Sequence, residues 1–407
     1  MLFVVSAVSP MATNAAVAAS DGQILHPDSI VRGQATTAVT CGEPYPKGIC
    51  PSLLLTAYNV TALQASGVTG SGQTVVIVDA CGSPTISADL HAFDAQFGLA
   101  DPTLNVVNVQ GTPCSNTGWA EETSLDVEWS HVMAPSATIE LLVAAQPSST
   151  DLYGAWSYSL THSLGNQISN SWGGSGACGS MAGGLLKTAA NDHVTILASA
   201  GDGGYWGTGS PHTIQSPADC KNILTVGGTT LTIDSSGNYV SESAWGSACI
   251  AGTGTGGGYV TGAKEPGYQT KASIHDPYTL LGKPDVAAVA DPCTGVWIRY
   301  SGSWLVIGGT SLSCPLWAGF MADVNQIRTT NGFNAAGLID KFLYKNVYGT
   351  SGSGANYHSD FHDVTTGSNG WPAGTGWDAA TGLGSFIASS LAQTIGSNSA
   401  AGTNSTD

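Results

Sequence analysis

Runs of aliphatic and β-branched residues alternate along the chain with polar-faced stretches of helical length. Thr74-Val75-Val76-Ile77-Val78-Asp79 is apolar at nearly every position, the pattern of a strand buried on both faces. Similar runs lie at 139–144, 166–171, 194–199 and 223–226, and helical segments at 86–97, 120–132, 152–163 and 180–191 fall between them. This alternation predicts an α/β fold with a predominantly parallel central sheet and helices on both faces. Residues 228–302 form a looser Gly/Ser/Thr region, and 345–385 are rich in Gly, Asp, Asn and Trp; no internal repeat is visible. The pattern divides the chain into a leader, residual pro-segment or linker (1–50, polar and aperiodic from 21), one domain (51–395) and a polar tail (396–407). Within 1–20 a short apolar run and an Ala-rich segment resemble a signal peptide lacking its basic region; a fragment of a longer N-terminal segment is the other reading.

The stretch around which the rest is organised runs from Gly308 to Gly319. A β-rich run, 303–307, ends in two glycines, followed by Thr310, Ser311 and an apolar segment with Pro315 in its first turn. Glycines allow a sharp strand-to-helix turn, and proline is tolerated where helical N–H groups lack partners. Ser311 is therefore expected at a helix N-terminus, where free N–H groups and the dipole favour developing negative charge. On this stretch alone Ser311 is either an ordinary cap or a nucleophile.

Charge narrows the classes. The chain has 407 residues, only 10% of them charged, with 28 Asp and Glu against 11 Lys and Arg, a formal net charge of -17. Little is available to neutralise phosphates, so nucleic-acid binding is disfavoured. No stretch approaches the ~20 apolar residues of a membrane span. In acid, with carboxylates protonated, the few basic groups would repel one another weakly, so the composition is compatible with work at low pH. The nine cysteines show no zinc spacing; eight can pair in an oxidising compartment. Cys41 and Cys50, which bracket a short loop, are the expected pair, and Cys314 is expected buried and free. Asn59-Val60-Thr61 and Asn404-Ser405-Thr406 are glycosylation sequons.

A serine nucleophile needs a base. In subtilisin-like hydrolases a His opens the helix after the second strand, yet the corresponding segment here, Trp119 to Trp129, has none, and His131 comes late. It carries Glu122 and Asp126, four apart and so on one helical face. Like charges at that spacing cost stability, and the same segment is apolar at Leu125, Val127 and Trp129, which argues against a merely solvated acidic face.

Chain order carries a resemblance. Asp79 closes the first strand, Glu122 and Asp126 follow, then Ser199-Ala200-Gly201-Asp202-Gly203-Gly204, and Gly309-Thr310-Ser311 comes last. With Gln73–Thr85, Ser169–Gly174, Ser216–Leu231, Gly256–Tyr259, Pro284–Pro292 and Phe361–Ser385, this resembles the sedolisin (serine-carboxyl peptidase) family over residues 50–390. The resemblance implies a subtilisin-like fold and a secreted, acid-active endopeptidase acting on proteins and peptides, with no nucleic-acid or membrane partner and a monomeric state. It makes Ser311 the nucleophile, Glu122 the general base, Asp126 its proton-sharing partner and Asp202 the oxyanion donor. Asp79 falls where the family has an acid behind the Glu, and Trp172 where it has a Trp beside the acidic pair. In the C-terminal loop it implies one Ca2+, held by Asp363, the carbonyls of Val364, Gly374 and Gly376, and Asp378; from spacing alone these would be surface turns. Sedolisins normally carry a folded propeptide of well over a hundred residues, whereas about 40 residues precede the match here. The alternatives are a neutral subtilisin-like protease, which needs a His where Glu122 stands, and a catalytically silent Ca2+-stabilised binding domain.

Overall fold

The computed structural model describes residues 23–35, 39–44, 46–175, 178–204, 214–274 and 277–403. The signal-like segment 1–20 and the sequon at Asn404 lie outside them.

Strand Thr74–Ala80 is central because it is apolar towards both sides, and it pairs in parallel with Thr138–Ala144 and Gln167–Ser169. The sheet runs Leu104–Asn108, Thr138–Ala144, Thr74–Ala80, Gln167–Ser169, Thr195–Ser199, Leu224–Ile233, Tyr239–Ala244, and Val286–Val289 joins Leu224–Ile233 in parallel. Tyr239–Ala244 is its antiparallel member. Alternate side chains enter opposite cores: Val75 and Ile77 pack on one face, Val76 and Val78 on the other. The first core is closed by helices Ile86–Phe97, Thr117–Met133, Thr310–Thr330 and Ala388–Gly396, the second by Ser149–His162 and Ser180–Asn191.

The predicted parallel sheet, covered on both faces, is present; the irregular regions differ from expectation. Residues 21–50 were expected as a leader or linker without regular structure. Instead His26–Pro27 pairs with Trp172–Gly173, and Ile30–Ala35 adds to Ser303–Gly308. Both pairings are made by backbone groups, which leave no apolar period to read. Strand Leu104–Asn108 went unseen because it is an edge strand, largely exposed. The loose region 228–302 contains Tyr239–Ala244, Gly258–Lys264, Leu280–Lys283, Val286–Val289 and Val296–Tyr300, short strands with bulges in two of the pairings.

Four disulfides join Cys41–Cys50, Cys81–Cys114, Cys178–Cys220 and Cys249–Cys293, and Cys314 is free and buried. Burial pushes the Cys314 thiol up to about 12, so it stays protonated and inert. Asn59, in the first sequon, is exposed and donates its amide to the Ser389 hydroxyl at 2.6 Å.

Helix Thr310–Thr330 is buried almost all round and crosses helix Thr117–Met133. Gly319 makes the close crossing: a Cβ there would lie 2.5 Å from Met133 Cβ and 2.8 Å from the Ser130 carbonyl oxygen. Backbone on one side cannot yield, so Gly319→Ala must separate the helices. We expect a loss of about 1–3 kcal/mol, read by denaturant unfolding; an unchanged midpoint would show that the crossing has slack.

Candidate active site

The two crossing helices bring the carboxyls and the serine together. Helix Thr117–Met133 is capped by Asn116, whose side-chain oxygen accepts the Trp119 N–H at 3.1 Å. Glu122 and Asp126 lie one turn apart on it, and both are fully buried. Asp79, near the end of its strand, is the third buried carboxyl of the cluster. Among the described residues no Lys, Arg or His forms an ion pair with any of the three.

Their protons are held accordingly. Burial first, then repulsion from Asp126 and Asp79, raises Glu122 well above the ordinary carboxylate range, while the Ser29 and Ser311 hydroxyls pull the other way. Asp126 is raised by burial and by Asp79, against hydrogen bonds from Ser171 and Glu122. Burial lifts Asp79 to about 7, moderated by the Thr123 hydroxyl. Desolvation disfavours each charge, and neighbouring carboxyls cannot ionise independently.

The serine is placed by the expected glycine turn. Gly309 adopts φ +117°, and helix Thr310–Thr330 starts directly after it, leaving its first N–H groups without helical partners. The Thr310 N–H and hydroxyl both donate to Asp202 Oδ1, at 2.7 and 2.8 Å. Asp202 Oδ2 is buried without a partner. Burial, then the Asp28 carboxyl, pushes Asp202 well above its ordinary range, opposed by the two Thr310 bonds. Pro315 sits in the second turn, one turn later than the sequence suggested. Having no N–H, it cannot bond the carbonyl four residues back, that of Ser311. The Ser171 hydroxyl lies 3.3 Å from that freed carbonyl and donates to Asp126 Oδ1 at 2.8 Å. The Ser311 hydroxyl in turn donates to the Ser171 carbonyl at 3.1 Å.

Trp172 is held through the residue that precedes Asp79. Its indole N–H donates to the Val78 carbonyl at 2.8 Å, and its ring packs with Tyr153 and Trp156. Its indole hydrogen is thus committed to backbone, and the contact with the acids comes from the preceding residue, Ser171.

A segment expected as leader completes the site. Beyond the pairing of His26–Pro27 with Trp172–Gly173, the Asp28 N–H donates to the Ser171 carbonyl at 3.1 Å and the Asp28 carbonyl accepts the Ser311 N–H at 3.0 Å. The Asp28 carboxyl accepts the Ser199 hydroxyl at 2.7 Å and the Gln215 amide. Burial lifts it to about 7, against those two hydrogen bonds. Of these missed residues, Ser171 and Ser199 stand inside runs that the resemblance already singled out; Asp28, Ser29 and Gln215 carry no sequence signal.

The C-terminal loop gathers the other predicted residues. Asp363 accepts the Gly376 N–H at 3.0 Å and the Tyr357 hydroxyl at 3.2 Å. Asp378 accepts the N–H groups of Ala380 and Thr381 at 2.8 Å and that of Gly374 at 3.1 Å. Gly376 has φ +78°, which favours glycine. Among the described residues no backbone N–H bonds the carbonyls of Val364, Gly374 or Gly376, and no cationic side chain pairs with either carboxyl. The three carbonyls are thus hard oxygen donors without a backbone partner, the kind of ligand a Ca2+ ion takes, whereas the two carboxylates are already hydrogen-bonded.

Comparison with known proteins shows what the chain is similar to. A model of the subtilase family matches residues 111–356. Sedolisin of Pseudomonas sp. (strain 101) is 30% identical over 90% of this chain and 64% of its own length. Kumamolisin of Bacillus sp. (strain MN-32) is 32% identical over 81% of this chain and 61% of its own. The chain thus spans a little under two thirds of the length of these curated relatives. The structure of Pseudomonas sedolisin, a serine-carboxyl proteinase complexed with two molecules of pseudo-iodotyrostatin, superposes with a TM-score of 0.74 at 27% identity, covering 88% of this chain and 100% of that one.

The raised carboxyls make stability depend on pH. Asp28, Asp79 and Asp219 are each lifted by burial from 3.8 to about 7. The fold therefore binds more protons than the unfolded chain, and their contribution, complete below about pH 4, is lost as pH rises to about 7. The Ser311→Ala protein should melt several degrees higher at pH 4 than at pH 7. A melting temperature that rises over this interval would contradict the buried protonated cluster.

Proposed function

The chain belongs to the subtilase family, in its sedolisin branch, and we propose that it is a secreted, acid-active serine-carboxyl endopeptidase with Ser311 as nucleophile. The observation that carries this reading is the convergence of Ser311 with buried carboxyls at a helix crossing without an imidazole. The helix's one histidine, His131, faces Asp94 at 3.4 Å, both fully buried. That disfavours the neutral subtilisin-like alternative. A silent binding domain has no need of uncompensated carboxyls beside a serine.

In the proposed reaction Ser311 Oγ attacks a peptide carbonyl while Glu122 takes its proton, and Asp126 shares the proton held by the pair. The Ser311 N–H and the proton on Asp202 Oδ2 hold the oxyanion. Glu122 then gives its proton to the departing amine, and water, deprotonated by Glu122, releases the acyl group. A carboxylate base of reference pKa ~4.3, against ~6.5 for imidazole, places the working range in acid. Asp202 acts only while protonated; the burial that raises it extends activity upwards until that proton is lost.

The substrates are proteins and peptides, and the enzyme acts as a monomer. Four disulfides support an oxidising, extracellular setting. Among the described residues no helix is long and apolar enough to cross a membrane. One Ca2+, held by Asp363, Asp378 and the carbonyls of Val364, Gly374 and Gly376, would neutralise the two loop carboxylates and fix the loop; it takes no part in the chemistry.

Denatured protein should be hydrolysed within pH 2–7 by wild type and not by Ser311→Ala. Asp202→Ala, which removes the donor, should lose about 10²–10³ in turnover, whereas Asp202→Asn, a permanent donor, should lose the upper pH limit. An optimum above pH 7, or an upper limit unchanged in Asp202→Asn, contradicts these assignments. Chelation should lower the melting temperature by many degrees and calcium should restore it; an unchanged melt with no calcium by elemental analysis rules the ion out.

A further inference from the structure

We infer that the acyl side of this cleft is built for an uncharged aspartate or asparagine side chain immediately before the scissile bond, the position that the chain's own Asp28 fills. The inference rests on the peptidase reading above and assigns that site its substrate class.

Residues 24–28 are held by backbone, as an extended peptide is held when it adds a strand. Ile24 bridges Ser148 in antiparallel sense, the Leu25 N–H donates to the Pro147 carbonyl at 2.8 Å, and His26–Pro27 pairs with Trp172–Gly173. Register is set at the last residue, where the Asp28 N–H meets the Ser171 carbonyl and the Asp28 carbonyl meets the Ser311 N–H. A Cβ on Gly309 would collide both with the Asp28 carbonyl oxygen and, at 2.5 Å, with Asp202 Oδ2. The carbonyl therefore sits beside the two groups that would hold an oxyanion. On the other side of the bond, Ser29 is near enough to Glu122 to pull its pKa downwards. Both carboxyl oxygens of Glu122, the group that must protonate the departing Ser29 amine, are buried without a hydrogen-bond partner.

The pocket under Asp28 explains the choice of side chain. The Ser199 hydroxyl and the Gln215 amide converge on Oδ2. Gln215 lies across the bare Cα atoms of Gly173 and Gly201, where a Cβ on either would strike it, and so closes the pocket to long side chains. Among the described residues no cation faces Asp28, and the charge it does meet is another carboxyl, Asp202. An ionised carboxylate is unwelcome there, whereas a protonated acid or an amide can accept both hydrogen bonds. The rise of Asp28 to about 7 through burial agrees.

In the cut itself, Ser311 Oγ bonds to the Asp28 carbonyl carbon and its proton passes to Glu122. The bond to the Ser29 nitrogen breaks as Glu122 returns that proton to the amine. Water then hydrolyses the ester, leaving a carboxyl on Asp28 and the hydroxyl on Ser311.

The test incubates the full chain at pH 4 and reads its intact mass and N-terminal sequence, beside a series of 23–31 peptides with Asp, Asn, Ala, Leu or Arg at position 28. Wild type should expose Ser29 as a new N-terminus while Ser311→Ala stays whole. The Asp and Asn peptides should be cut after position 28 with kcat/KM at least about tenfold above the other three, and Gln215→Leu should shrink the Asp-to-Leu ratio. If denatured protein is digested but the chain and peptides are not cut at 28–29, or if the Leu or Arg peptide matches Asp, this inference falls and the peptidase reading stands. If neither denatured protein nor peptide is cut, both fall.

Discussion

Carboxyl groups buried without cations can persist only if they keep protons, and this constraint shapes the centre of the molecule. Glu122, Asp126 and Asp79 meet where two helices and the central strand converge, a place from which water is excluded. Helix Thr310–Thr330 can approach because Gly319 presents no side chain to Met133. The same exclusion of water that closes the core therefore sets the protonation of the site. Packing and acid tuning are one arrangement here, and altering either disturbs the other.

Ser171 links the parts of the site. Its hydroxyl bonds Asp126, its carbonyl receives the Ser311 hydroxyl and the Asp28 N–H, and it lies just before the strand on which His26–Pro27 is laid. A single residue thereby touches the acidic pair, the serine and the bound segment. Pro315 contributes at one remove, since the N–H it lacks leaves the Ser311 carbonyl available to Ser171.

The sheet was legible because Thr74–Ala80 and its neighbours are apolar on both sides, and helix-spaced Glu122 and Asp126 stood out because charges inside an otherwise packed segment need a reason. The turn at Gly309 was readable from glycine chemistry alone. What could not be read is held by backbone: residues 24–35 pair through N–H and C=O groups, which every sequence possesses. Edge strand Leu104–Asn108 and the bulged strands between 239 and 300 lack a continuous apolar period. Gln215 illustrates a different limit, for its place depends on two glycines brought beside it from distant parts of the chain.

Strand Ile30–Ala35 begins one residue beyond Ser29 and is hydrogen-bonded along Ser303–Gly308, the strand that leads into Ser311. A break at Ser29 would therefore free only one of the two new ends. The amine would remain moored beside the acyl group at high effective molarity, competing with water for it. Such a break would be open to resealing by whatever fraction of that amine is unprotonated. The departure of the upstream piece, as well as the chemistry, would decide when the cleft opens to other polypeptides.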